Sequence, residues 1–150
     1  MAIRYASDNY YSDERKIYRG AYQMFLNDID VPIILCKLCN HYKVRFPRIR
    51  FRGHSDSGSA SMREIRLSHN PSMGLIIHEF GHLVQTRSEF FKKMWVRIKN
   101  KGTTHHGLHF QITLNQVHLY VRSKGYWVEQ LVQRAERRKV KKELDIDRRI

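Results

Sequence analysis

The sequence predicts an α+β fold, with helices packed on a small sheet, from three observations. Two short stretches alternate apolar and polar residues with the period of a strand, and several longer ones repeat apolar residues at helical spacing. One of those helical stretches is apolar on nearly every face, which marks it as the buried element around which the others pack.

In chain order, residues 12–29 read as a helix. Ser12-Asp13-Glu14 forms its N-terminal cap, and Ile17, Ala21, Met24, Phe25 and Ile29 recur at helical spacing. A short polar, tyrosine-rich arm precedes it. Asp28 and Asp30 mark a break, and Pro32 suits the first turn of a second helix over 31–42 with Ile34, Leu35, Leu38 and Tyr42 on one stripe. Cys36 and Cys39 form a C-x-x-C in that helix, with His41 nearby. No second cysteine pair exists for a zinc ribbon, and a thioredoxin-like motif would open a helix after a strand, so both read as small apolar core residues.

Residues 46–52 predict a half-buried strand, Ile49 and Phe51 inward and Arg48, Arg50 and Arg52 on a basic outer face. Residues 53–61 read as a flexible polar loop, and 62–68 as a second strand with Ile65 and Leu67 inward. Asn70-Pro71-Ser72 caps the apolar helix, expected over 71–87. A basic, aromatic connection follows over 90–101, broken by Gly102. Another amphipathic helix opens at His105, with His106, Phe110, Leu114, Val117 and Val121 on one face and Gly125 as its stop. From 126 the chain reads as a helix that docks through Trp127, Leu131, Val132 and Ala135 and then becomes strongly basic. The expected organisation is one domain over 1–150, its core at about 10–125 and a basic helical extension at 126–150.

At 150 residues the chain is long enough to bury a core, and its aromatic content argues against disorder. No apolar run approaches the roughly 20 residues of a membrane span, and the first residues lack the apolar centre of a signal peptide. The expectation is a cytoplasmic, monomeric protein with reduced thiols and no membrane contact. The formal net charge of +14 points to nucleic acid or another polyanion as a partner.

The chemistry concentrates in the apolar helix. His78, Glu79 and His82 form H-E-x-x-H within Leu-Ile-Ile-His-Glu-Phe-Gly-His-Leu-Val. Residues four apart share a helix face, so His78 and His82 can reach one metal ion, with Glu79 beside them to accept a proton from water. Buried His and Glu need polar partners, and a zinc ion supplies one. The competing reading is a core helix whose histidines only hydrogen-bond.

A catalytic zinc takes a third protein ligand. Gln85 and Ser88 stand where a glycine-spaced third histidine would need Gly and His. Glu89 lies only seven residues on, and Glu129, Glu136, Glu143, Asp145 and Asp147 lie in the charged tail. Histidine is the better source: His105, His106 or His109, with His118 more distant. His106 opens a helix and shares its apolar face with Phe110.

The segment from His106 to Phe110 matches H-G-x-x-F. A helix carrying H-E-x-x-H followed by H-G-x-x-F resembles the SprT-like (Spartan-like) zinc metalloproteases, a minimal zincin family. Asn40-His41-Tyr42, the stretch from Pro47 to Phe51, Ala60 and Ile65-Arg66-Leu67-Ser68 are similar to that family's approach to the site. The resemblance spans about residues 10–125, without the family's zinc ribbon, and His106 follows His82 by 24 positions. It implies Zn2+ held by His78, His82 and His106 with Glu79 as general base.

The resulting expectation is a zinc-dependent endopeptidase. An oxyanion donor or supporting group would come from His109, His105 or a tyrosine. The resemblance implies protein substrates bound or crosslinked to DNA, and the charge independently suits DNA. Candidate phosphate contacts are Arg48, Arg50, Arg52, Lys92, Lys93, Arg97, Arg137, Arg138, Lys139, Lys141 and Lys142. The alternatives are a non-catalytic, zinc-stabilised nucleic-acid-binding or structural protein, and a processing protease that does not use DNA.

Overall fold

The computed structural model describes residues 9–61, 63–87 and 106–124. It is an α+β arrangement: α1 (Asn9–Ile17), α2 (Arg19–Tyr22), a 3-10 turn (Asp28–Asp30), α3 (Val31–Tyr42), β1 (Arg48–Phe51), β2 (Gly58–Ala60), β3 (Glu64–Leu67), α4 (Met73–Arg87) and α5 (Leu108–Ser123). Among these, no helix is long and apolar enough to cross a membrane.

The single helix expected over 12–29 is interrupted. Its first turn lies earlier, at Asn9, so Tyr10 and Tyr11 belong to α1 and not to a polar arm. Tyr18 leaves the helical region at φ −107° and ψ 35°, separating α1 from the one-turn α2. Beyond Tyr22 the backbone is drawn out to pair with the start of α4. Leu26 N donates to Pro71 O at 3.0 Å, Met73 N to Met24 O at 2.7 Å, and Phe25 bridges Ser72. Ile29, whose spacing suggested a helix, is 66% exposed in the 3-10 turn.

Helix α3 begins with Pro32 in its first turn and ends at Lys43, a non-glycine residue at φ 54°, whose N–H returns to Cys39 O. Ile34, Leu35, Leu38 and Cys39 are buried, whereas Cys36 is exposed, so only one of the two cysteines joins the core. The sheet order is β1-β3-β2. Strands β1 and β3 are parallel with Ile49 opposite Ile65 and Phe51 opposite Leu67, and β2 runs antiparallel to β3. The stretch 53–61 therefore contains a strand where sequence indicated only a loop. Gly58 permits the approach: a Cβ there would lie 2.5 Å from Arg66 O.

Helix α4 is the centre of the molecule, with residues 71–85 all buried. Its start is held from a distance. Leu75 N donates to Ser72 Oγ at 3.1 Å, while Ser72 N and Oγ donate to the Asp56 carboxylate at 3.0 and 2.9 Å. Helix α5 lies against α4 through Phe110, Leu114, Val117 and Val121, all buried on the face the periodicity indicated. Gly81 sets the closeness, because a Cβ there would meet Phe110 at 3.2 Å. Burying Phe80, Leu83 and Phe110 contributes about 1.5–3 kcal/mol each.

Candidate metal centre

Two elements bring three histidines together. His78 and His82 project from one face of α4, and His106 stands in the turn before Gly107, the N-cap of α5, and not in the helix that sequence had it open. Their candidate ligand atoms all lie within 4.8 Å of one another, and all three residues are buried. Nε2 of His78 and Nε2 of His82 face each other at 3.3 Å. Phe110 stacks on the His82 ring at 4.2 Å and 18°. Phe110 meets His106 edge-on instead, at 5.2 Å and 70°.

Sequence reasoning missed the residue that orients His78. Glu14, 64 positions earlier and fully buried, has carboxylate oxygens 2.9 and 2.8 Å from His78 Nδ1. Tyr10 Oη donates to the same carboxylate at 3.0 Å, and Tyr22 Oη donates to its other oxygen. Burial alone would push this carboxyl up. The hydrogen bond and charge of His78, with the two tyrosine hydroxyls, outweigh burial and hold it below its ordinary value. An ionised Glu14 only accepts, so His78 Nδ1 carries a proton, and in the neutral ring the lone pair is then on Nε2, which faces His82. The Tyr10 ring lies flat on His106, 4.5 Å away at 13°. The one available signal was the spacing: Tyr10 and Glu14 share a face of α1, although the sequence placed Tyr10 in a polar arm and Glu14 in a helix cap.

Glu79 is 4% exposed, with Oε1 4.0 Å from His78 Nε2. Burial raises its carboxyl from 4.5 to about 7, opposed by the charge of His78 and helped by that of Glu14. Tyr11 is half-exposed at the same place. Its ring centroid is 5.6 Å from that of His78 and 5.2 Å from that of His106, and the charges of Glu79 and Glu14 add to burial in raising its hydroxyl. The donor set, three clustered imidazoles with at least one fixed lone pair, fits a metal ion.

The remaining candidates fall elsewhere. His118 is buried behind the site, stacked on Tyr18 at 3.7 Å, and does not join the group. His105 and the side chain of His109 lie outside the described residues, as do Lys92, Lys93, Arg97, Arg137, Arg138, Lys139, Lys141 and Lys142. Arg48, Arg50 and Arg52 are exposed. Arg50 pairs with Glu64 at 2.7 Å, and Arg66 reaches the same carboxylate at 3.4 Å. Arg48 instead joins Arg45, Phe46 and Arg63 around a cavity of about 290 Å³. Comparison with family models, with curated proteins and with solved structures gave no match.

Proposed function

We propose that the chain is a zinc-dependent metalloendopeptidase with the zincin arrangement of the SprT-like proteases, acting on proteins bound or crosslinked to DNA. The observation that carries this reading is Glu79: a buried carboxyl with Oε1 4.0 Å from His78 Nε2, beside a buried three-histidine group. A site that only braced a fold has no use for a base there and ordinarily takes four protein ligands.

Zinc suits the donors. Imidazole nitrogens are donors that zinc takes readily, and the two Nε2 atoms of α4 are 3.3 Å apart. His78, His82 and His106 would hold the ion and leave a position for water. Bound there, zinc supplies a Lewis acid for the peptide carbonyl and brings the pKa of water toward neutrality. Glu79, whose Oε1 lies 4.0 Å from His78 Nε2, would take the proton of the attacking water and pass it to the leaving amine. Tyr11, at the exposed side of the histidines, is the tyrosine available to the developing oxyanion. Strand β2 is an edge of the sheet, and its Gly58 lies so close to α4 that a Cβ would be 3.3 Å from Glu79 Cγ. An extended peptide paired along that edge would run past the base. The +14 charge and the arginine-lined cavity support the DNA association.

The test compares wild type with Glu79→Gln for zinc content and for cleavage of casein and of a DNA-bound protein, with and without DNA. Both proteins should bind equimolar zinc, with cleavage reduced about 10²- to 10⁴-fold in the variant. Equal cleavage by the two proteins overturns the assignment of Glu79. Zinc binding without cleavage by wild type favours the structural alternative.

A further inference from the structure

We infer that α1, which supplies no ligand, is the positioning element of the metal centre: Glu14 fixes His78 and Tyr10 fixes His106. The inference rests on the three-histidine site and extends beyond its ligands and base.

A fully buried carboxylate is costly to keep in a small core unless its oxygens are satisfied. Those of Glu14 receive three donors, from His78 Nδ1, Tyr10 Oη and Tyr22 Oη. Of the three, only His78 has a second nitrogen aimed into the cluster, so the Glu14 contact selects the tautomer in which Nε2 is a ligand. The carboxylate also makes that imidazole a stronger donor to a cation, the general effect of a carboxylate behind a metal-binding histidine. Tyr10 acts on the second helix of the site. One residue thus anchors its hydroxyl on Glu14 and lays its ring on His106 at 4.5 Å. His106 enters before α5 and far from α4 in sequence, so its ring angle depends on what packs against it. Tyr10 and Glu14 are one helical turn apart, and a rotation of α1 would move both supports together.

A merely structural role would tie α1, α2 and α4 together without affecting metal affinity in a protein that still folds. Glu14→Gln separates the two, because it keeps an acceptor for Nδ1 and removes the charge. Metal-free Glu14→Gln, Tyr10→Phe and wild type are compared by thermal melting, by zinc titration against a chromophoric chelator, and by the visible absorption of the cobalt(II)-loaded proteins. Glu14→Gln is expected to fold, to bind zinc about 10- to 100-fold more weakly and to show altered cobalt bands. Tyr10→Phe keeps the stacked ring, loses the hydroxyl and should show a smaller loss in the same direction. A folded Glu14→Gln with zinc affinity within about twofold of wild type and unchanged cobalt bands overturns the inference. Should Glu14→Gln not fold, Tyr10→Phe and Tyr22→Phe each remove one donor to Glu14, and unchanged zinc affinity in both overturns it equally. Wild type failing to bind zinc removes the metal-site reading itself, whereas wild-type binding with indifferent variants removes only the role of α1.

Discussion

Glu79 and His118 are both buried, and burial moves them in opposite directions with opposite consequences for stability. The Glu79 carboxyl rises from 4.5 to about 7, chiefly through burial. The unfolded chain therefore releases this proton first, and the folded state loses stability as pH rises through the window 4.5–7. The deficit above that window is roughly 3 kcal/mol. His118 falls from 6.5 to about 4, again chiefly through burial, with Glu14 opposing and His78 and Arg122 assisting. Here the unfolded chain takes up the proton first, so stability is complete above 6.5 and is lost as pH falls toward 4. Melting curves of the metal-free protein across pH 4–8 check both. Glu79→Gln should melt several degrees above wild type at pH 8, with the gap closing toward pH 4.5. His118→Phe, which keeps a flat ring on Tyr18, should gain on wild type only below 6.5. A Glu79→Gln curve parallel to wild type throughout would show that burial does not perturb this carboxyl. The measurement belongs to the metal-free state, because a bound cation would pull Glu79 the other way.

At the scale of elements, sequence periodicity located α3, α4, α5, β1 and β3, since each follows the burial of its own side chains. It failed where remote backbone decides. Residues 24–26 were given a helix by spacing and instead pair with 71–73, and β2 exists because Gly58 passes close to Arg66 O. Asp56 belongs to the same class. In a stretch of Ser and Gly it looked like loop, yet it sits at φ 48° and accepts both the N–H and the hydroxyl of Ser72. That clamp frees the Ser72 oxygen to cap Leu75 at the first turn of α4. Asp56→Ala should cost about 1–3 kcal/mol in urea unfolding, since it leaves the polar groups of a buried serine unpaired. The amide of Leu75 should also exchange faster with solvent. Ser72→Ala, which loses only the cap, should cost about 1 kcal/mol. An Asp56→Ala midpoint equal to that of wild type would mean that the loop follows the helix and does not hold it.

Over the whole molecule, the legible part of the site was the part written within one helix, His78, Glu79 and His82, together with His106 by its shared face with Phe110. Glu14, Tyr10 and Tyr11 were not legible, because nothing local distinguishes a carboxylate that meets a histidine 64 residues away from one that faces water. The charge was legible only as a sum. Its distribution is uneven in a way that a test of DNA contact can use. Glu64 holds Arg50 and Arg66 in ion pairs and offsets one of their two charges. Arg48 and Arg63 make no ion pair among the described residues, and with Arg45 and the half-exposed Phe46 they line one cavity. Guanidinium groups around an exposed aromatic suit the phosphates and stacked bases of a single strand. Replacing Arg48 and Arg63 with glutamate should therefore weaken binding to a single-stranded oligonucleotide and lower the slope of log affinity against log salt by about 1 per arginine. Replacing Arg50 and Arg66, which already share a carboxylate, should lower it less. Zinc content serves as the control, since these arginines lie on the sheet or, for Arg63, just before β3, and not among the histidines. If the two pairs lower the slope equally, DNA meets a diffuse basic surface; a slope unchanged by either pair would remove this sheet from the DNA contact altogether.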